Sequence, residues 1–488
     1  MKHRHKRKTV SEIPTEEKKK IGQAVLKALV QVGVALFWIG VWALAAYLVN
    51  KPLHLPTPYA TVAAFSRLLV QGEFWRIVVF SLARIFLGLL IGTAAGILFA
   101  FIMTYLKPAD KLLKPLIVLI RTIPVVSFIM LLWLIFFRFR GAMPVAVSAL
   151  MVFPIVWSGV SDGYKLIDPK LLEMAHCYAN RRDTFFYVKL PQIFPQFLSA
   201  FSTSVGLSWK AGIAAEVICQ PLRSIGREIY LAKEGLESEV QFAWTAVVIV
   251  LSLFLEYVLI RLLRKVRFRP HIEESSRVEN RDKSYPIEFD DISKHFGKKT
   301  VFEHFSHLFP DRKVTAIMGE SGCGKSTLLR IAAGLLDDDD KKYEMPPSLP
   351  AVIFQEDRLI PQLTVRENLL FANRGCYWTY ILENLGLKEV ADSYPSQLSG
   401  GMRRRVAIAR AIAFGGNIGL FDEPFTGLDD KTKAKCAAFL FDRFKNCTVL
   451  FVTHDKEDAT EYGDFLLEMV APESEDGAEE QVGFDDDF

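Results

Sequence analysis

The chain is poor in cysteine: six in 488 residues, at 177, 219, 323, 376, 436 and 447, with no CxxC pair and no Cys/His cluster at metal spacing. That excludes a disulfide framework and a structural zinc site, and fits reduced thiols in a cytosol-facing protein. The stretch MKHRHKRKTVSEIPTEEKKK is not expected to act as a signal peptide, being too long and too charged before any apolar run. Carboxylates are scarce in residues 1–270, with 15 Asp+Glu against 33 Lys+Arg, a net +18. Residues 271–488 reverse this, with 40 against 26, a net −14. A total of +4 therefore hides a basic apolar half and an acidic soluble half. The basic residues of the first half flank apolar runs, which points to the inner face of a membrane and not to nucleic acid.

What the first half has in abundance is long uncharged runs. A hydrocarbon core of ~30 Å needs ~20 apolar residues in a helix. Ala28–Val49 and Ile85–Leu106 are uncharged for 22 residues each, and Gly141–Ser161 for 21. Pro115–Phe137 is interrupted only by Arg121, Leu190–Pro221 by Lys210 and Glu216, and Val240–Ile260 by Glu256. These runs predict six spans within a membrane domain over 25–265. A basic N-terminus, 1–24, stays inside by the positive-charge rule. Counting spans then puts Lys107, Lys111, Lys114, the stretch 173–191 and Arg261–Arg269 on the same side. Both termini are expected in the cytoplasm of a cell bounded by that membrane. Gly88, Gly92 and Gly96 line one face of the second span and predict close helix packing. Pro124, Pro144 and Pro154 are expected to kink their spans. Lys210 and Glu216 sit at membrane depth, where a charge needs a structural partner or a place on a pathway. Residues 266–286 read as a linker and the acidic tail 471–488 as disordered.

The second half carries nucleotide chemistry. Val314–Met318 reads as a strand, followed by Gly319-Glu-Ser321-Gly322-Cys323-Gly324-Lys325-Ser326-Thr327 and a helical pattern. This is GxxxxGK[ST] in its strand–loop–helix setting, where glycines let backbone N–H groups wrap phosphates. Lys325 would neutralise phosphate charge and Ser326 would ligate Mg²⁺. A second strand, Ile418–Asp422, ends in the pair Asp422-Glu423. Asp422 suits the Mg²⁺ shell, and Glu423 suits a general base on water. Between them, Ser399-Gly400-Gly401 opens the basic helix RRRVAIARAIAF, a second phosphate-binding helix start. That second site has a use if two chains face each other and each offers it to the other's ATP.

The ordered set GESGCGKST, FQEDRLIPQLTVRENL, YPSQLSGGMRRRVAIARAI, FDEP, GLDD and VTHD resembles an ATP-binding cassette ATPase over 287–470. The resemblance implies that Gln355 touches Mg²⁺ and the membrane domain and that Ser399, Gly400 and Gly401 are the signature loop. It makes Asp429 the D-loop aspartate, His454 the switch histidine and Phe296 the aromatic that stacks on adenine. The membrane half resembles permeases of binding-protein-dependent importers. In that family a cytoplasmic coupling loop has the pattern found here from Glu173-Met-Ala175 to Leu190-Pro191, within 166–191. Ala179 stands where the pattern has glycine, and is expected to allow a more helical turn. Glu173 is expected to meet the ATPase groove around Gln355, with Arg181 and Arg182 facing its acidic surface. SWKAGIAAEVI and the Q-loop segment most resemble the nitrate/sulfonate/taurine subgroup, which includes transporters of thiamine pyrimidine precursors. The short stretch 331–351 implies a reduced peripheral subdomain.

The resemblance implies a helical polytopic permease domain followed by an α/β P-loop ATPase in the bacterial plasma membrane, embedded in lipid. It would work as a dimer with a second copy or a sister chain, using ATP and Mg²⁺ and a separate extracellular solute-binding protein. Import of a sulfonate, taurine or nitrate is the leading reading; a thiamine precursor, or an exporter or flippase half, is the alternative. Fusing permease to ATPase in this order is unusual for importers, while exporters of that layout lack a coupling loop of this kind.

Overall fold

The computed structural model describes residues 15–106, 115, 117–120, 122–265, 270–275, 284–297, 299–347 and 349–470. Residues 1–14, Lys107, Lys111, Lys114, Arg121, most of the linker and the 471–488 tail lie outside the described residues. The chain divides into two compact units, Met1–Ser161 with Gln196–Val266, and Asp162–Pro195 with Arg267–Phe488. The coupling segment, which the sequence places inside a 25–265 domain, thus packs as part of the ATPase unit.

The helices in chain order are α1 (Thr15–Val49), α2 (Pro58–Val70), α3 (Gly72–Tyr105), α4 (Val125–Phe136), α5 (Met143–Lys165), α6 (Pro169–Tyr178), α7 (Leu190–Cys219), α8 (Ile225–Glu234) and α9 (Ser238–Lys265). Among the described residues four segments are long and apolar enough to cross a membrane: Val32–Val49, Gly72–Thr104, Met143–Lys165 and Ser238–Leu263. Six were expected. The run from Pro115 yields the 12-residue apolar helix α4, and α7 is 30 residues long but diluted by serines, glutamines, Lys210 and Glu216.

Charge explains why α3 begins well before Ile85. Arg84 ends the uncharged run in sequence, but in the fold its guanidinium lies 3.2 Å from the fully buried Glu216 carboxylate. Ser81 donates to the other Glu216 oxygen at 2.8 Å, and the Gly226 amide donates to the same oxygen at 3.3 Å. Glu216 is thus a structural tie between α3, α7 and α8, while Lys210 is exposed and has no ion pair among the described residues. A methyl group at Gly88, Gly92 or Gly96 would come within 2.5–2.9 Å of Val145, Ser148, Ala149, Val152 or Val156 atoms on α5. The glycine stripe lets the two backbones touch. Of the three prolines expected to kink spans, Pro154 alone is interior to a helix. Pro144 lies in the first turn of α5 and Pro124 precedes α4, where the missing N–H costs nothing. Pro195, inside α7, is the interior proline the sequence reading passed over.

In the second unit β1 (Ile287–Phe296) and β2 (Lys299–Phe309) form an antiparallel pair. A five-stranded parallel sheet follows, built from β3 (Val314–Gly319), β4 (Pro350–Ile353), β5 (Ile418–Asp422), β6 (Thr448–Val452) and β7 (Phe465–Met469) in the order β4-β5-β6-β3-β7. Its central strands are buried apolar runs, as a parallel sheet covered on both faces requires. The covering helices include α10 (Lys325–Ala332), α11 (Val365–Ala372), α12 (Trp378–Asn384), α13 (Gly400–Phe414), α14 (Asp430–Arg443) and α15 (Lys456–Tyr462). Residues 335–349 hold no strand among the described residues, in line with the reduced peripheral subdomain.

Candidate active site and coupling contacts

Ligands of an open parallel sheet bind beyond the carboxyl ends of its strands. There the loop after β3, the acidic pair after β5, His454 after β6 and Gln355 after β4 converge. The cavity is about 350 Å³ and is lined by Phe296, Ser321, Gly322, Gly324, Lys325, Ser326, Thr327, Gln355, Asp422, Glu423 and His454. Three loop positions favour glycine by their backbone, Gly322 among them with φ +86. Gly319 has φ +151 and Gly324 φ +105, and a side chain at Gly324 would strike Val301 at 2.7 Å and Phe302 at 2.9 Å. Gly324 starts α10, so the free amides of the first turn face the cavity. Cys323 is buried beneath the loop, and Lys325 donates to the carbonyls of Gly319 and Glu320 at 2.8 and 2.6 Å.

The acidic end is held under strain. Glu423 adopts φ +45, a left-handed conformation that a non-glycine residue keeps only when its surroundings impose it. Its amide donates to Val452 at 3.0 Å, Thr426 donates to Oε2 at 3.2 Å, and His454 Nε2 lies 2.9 Å from Oε1. Burial pushes the Asp422 carboxyl above the usual range, opposed by the Ser326 hydroxyl that bonds to it. Ser326, Gln355 and Asp422 also line one adjoining recess, and their side chains carry hard oxygen donors of the kind that suits Mg²⁺.

Ser399, Gly400, Gly401 and Asp429 do not line this cavity. Ser399 caps α13, accepting from the Met402 amide at 3.3 Å, and Asp429 caps α14, accepting from the Thr432 amide at 3.1 Å. That hydrogen bonding to Thr432 lowers the Asp429 carboxyl.

Sequence reasoning missed the residues that bind these parts together. Arg404, buried in α13, donates to Phe354 at 2.6 Å, Pro424 at 2.9 Å, Asp422 at 3.0 Å and Gln355 at 3.3 Å, all backbone carbonyls, and also to that of Glu423. Six residues on, the fully buried Arg410 donates to the carbonyls of Arg358 at 2.7 Å and Asp357 at 3.1 Å. Lys299, from β2, adds an unforeseen cation to the cavity wall.

The coupling segment is built into the same core. Asp168 caps α6 by accepting from Lys170, with Pro169 at the first helical position. Leu171, Met174, Ala175 and Tyr178 recur at helical spacing and are buried among the ATPase apolar residues. The Tyr178 hydroxyl donates to the Val352 carbonyl and accepts from its amide at 3.1 Å. Edge strand β4 is thereby capped by a side chain from α6. Burial raises the Tyr178 hydroxyl to about 12, and the Cys177 thiol next to it also to about 12. Glu173 accepts from Arg358, three residues beyond Gln355, at 2.7 Å. Arg181 and Arg182 are exposed and make no ion pair among the described residues; instead Asp183 accepts from Arg374 at 2.8 Å. Ala179 ends α6 with φ −138, ψ 154, so the turn is extended and needs neither glycine nor helix. Residues 184–189 form a π-helical turn leading into Leu190 and the buried Pro191 at the start of α7.

This arrangement of glycine-rich loop, strained strand-end Glu423 and Ser399-capped helix fits a nucleotide-hydrolysing cassette, and the chain belongs to the ABC transporter family. The ABC transporter family model matches residues 302–426. The model of the binding-protein-dependent transport system inner membrane component matches residues 92–268, so permease and ATPase are fused in one chain. Among curated relatives, the aliphatic sulfonates import ATP-binding protein SsuB 1 of Pseudomonas savastanoi pv. phaseolicola is 38% identical, over 36% of this chain and 77% of that protein. SsuB of Bacillus cereus is 36% identical, over 38% of this chain and 81% of that protein. The sulfate/thiosulfate import ATP-binding protein CysA of Acinetobacter baylyi is 35% identical, over 40% and 62%. Among solved structures, the dimeric bacterial ABC transporter cassette MJ0796 is 30% identical, covering 38% of this chain and 94% of that one, with a TM-score of 0.34. The chain is therefore an ATP-hydrolysing membrane transporter component.

Proposed function

We propose that this chain is half of an importer that uses ATP to bring a small organic anion of the sulfonate class into the cell. Permease 25–265 and ATPase 287–470 act together, with six spans, cytoplasmic termini and an external binding protein that delivers the solute. The observation that carries the hydrolytic role is the pair Glu423 Oε1–His454 Nε2, 2.9 Å apart in the cavity that holds the phosphate loop. Glu423 takes a proton from the water that attacks the γ-phosphorus, and the P–O bond to ADP breaks. Lys325 and the amides opening α10 balance charge on the phosphoryl oxygens. His454 holds Glu423 and the γ-phosphate together. Ser326, Gln355 and Asp422 would hold Mg²⁺, whose charge polarises the phosphate when bound.

Two copies, or a copy and a sister chain, complete each site with Ser399, Gly400, Gly401 and Asp429 of the opposite subunit, which explains their distance from the cavity of their own chain. Phe296, half exposed at the cavity rim, stacks on adenine. Import, and not export, is supported by α6 and its Glu173–Arg358 contact, a coupling loop of the importer kind. The sulfonate class is supported by the SsuB relatives. The test is Glu423→Gln in the purified full chain. ATP binding should stay within about threefold while hydrolysis falls by at least about a hundredfold. Unchanged hydrolysis refutes the assignment.

A further inference from the structure

A cavity of about 790 Å³ in the membrane unit is lined by four arginines, Arg84, Arg138, Arg140 and Arg227, with no carboxylate on its wall. Their states differ. Arg84 is one-sixth exposed, paired with Glu216, and donates to the carbonyls of Leu222 at 2.6 Å and Arg223 at 3.2 Å. Those bonds brace the loop 220–223, which takes left-handed backbone at both Gln220 (φ +49) and Arg223 (φ +52). Arg84 is thus a neutralised floor. Arg138, Arg140 and Arg227 form no ion pair among the described residues, with Glu228 beside Arg227 the nearest opposing charge in sequence, so three cations converge on one concavity.

Like charges gathered in a recess repel one another and concentrate anions. On the six-span reading the segments holding Arg138, Arg140 and Arg227 face outward, the side on which arginine is depleted. A cluster kept there against that bias calls for an anionic partner. Arginine suits oxyanions because its planar fork gives two parallel hydrogen bonds. Phe139, Pro221 and Leu222 place apolar surface beside the forks. Charge and apolar wall together fit a small molecule with an oxyanion head and a short alkyl body, within the usual size of ligand cavities.

We infer that this cavity is an outward-facing binding site for the oxyanion head of an alkyl sulfonate, occupied on the way into the transporter. The inference rests on the import orientation proposed above. An anionic lipid phosphate shares the head-group chemistry, so the test has an arm for it.

The probe is radiolabelled ethanesulfonate, equilibrated with the full chain in phosphatidylcholine nanodiscs. Wild type should bind it saturably. Arg138→Gln with Arg140→Gln should weaken binding at least about tenfold, and Arg227→Gln, in the first turn of α8, by about fivefold or more. Arg223→Gln, whose side chain pairs with Glu73 at 3.1 Å and is not on the wall, should stay within about twofold. No saturable binding by wild type, or equal binding by both arginine variants, overturns the site. Loss of ethanesulfonate binding in nanodiscs containing phosphatidylglycerol overturns it too, in favour of a lipid site. ATP-dependent uptake of ethanesulfonate into right-side-out vesicles separates the two readings. The arginine pattern in binding without uptake keeps the cavity and sinks the import reading. Uptake that survives both variants sinks the cavity alone.

Discussion

Tyr178→Phe removes one oxygen atom and tests whether α6 is built into the ATPase. Tyr178 is 5% exposed and Val352 4%. The hydroxyl serves both polar groups of Val352 on edge strand β4, which has no neighbour on one side. Phenylalanine keeps the ring, its edge contact with Phe414 at 4.9 Å and the Arg410 cation above it at 5.2 Å. The variant therefore removes the two Val352 hydrogen bonds together with the hydroxyl's contact with the Arg410 side chain. A buried backbone group left without a partner costs about 1–3 kcal/mol. Some relaxation at the strand edge sets the expected loss at about 2–4 kcal/mol in total. At about 1.4 kcal/mol per factor of ten, the Val352 amide should exchange roughly 30- to 700-fold faster.

Two measurements check this on the full chain in detergent: urea unfolding followed through the ATPase unit, and hydrogen exchange resolved at Val352. In proteoliposomes the same variant should hydrolyse ATP with less solute moved per ATP, because the nucleotide site is untouched while the docking of α6 is weakened. A stability change under about 0.5 kcal/mol, with unchanged exchange at Val352, would refute the reasoning, since that is the range of an ordinary surface substitution.

Arg404→Met should lower ATP turnover at least about a hundredfold and destabilise the ATPase by about 3–5 kcal/mol, because five carbonyls lose one shared donor; single-turnover kinetics and urea unfolding read it. Ala179→Gly should cost about 0.5–1 kcal/mol and restore nothing, since φ −138 is open to any residue and glycine only adds freedom to the unfolded chain. The Asp339 carboxyl is held at about 2, below its usual 3.8, chiefly by hydrogen bonds from Lys294 and His295. Its contribution to stability is therefore present above pH ~4 and lost as pH falls toward ~2. Asp339→Asn should flatten the pH dependence of unfolding across that window, and an unchanged slope refutes the pairing.

The nucleotide site was legible because its chemistry restricts residue types at fixed spacing. A backbone wrap needs glycine at Gly319 and Gly324, and a water-activating pair needs acids at a strand end. Glu173 was legible through the coupling-loop pattern that the membrane half resembles. Other features depended on the fold. Arg404 and Arg410 read only as part of a basic helix, yet every residue from Val406 to Phe414 is buried. The signal was present: an arginine flanked by VAIA and AIAF on a helix apolar all round has to be buried, and so has to have partners. Arg84 and Glu216 lie 132 residues apart, so no periodicity could join them, and Arg84 masked the true start of α3. The reversal at Asp183–Arg374 shows how weakly net charge of a segment fixes which of its residues makes the contact.

Helix α13 ties these parts into one device. Its start carries the proposed signature contact to the opposite subunit's ATP. Arg404, in its first turn and a half, grips the backbone on both sides of Glu423 and at Gln355. Arg410, about 9 Å further along at 1.5 Å per residue, grips Asp357 and Arg358 and lies over Tyr178. Arg358 in turn holds Glu173. A 15-residue buried helix moves as a rigid body, so no relay of small adjustments is needed. A shift of α13 toward or away from a partner's nucleotide would displace Glu423, the proposed general base, and α6, the proposed coupling helix, together. Hydrolysis and transport are then linked because they share one lever, and severing either arginine should break one connection while leaving the other in place.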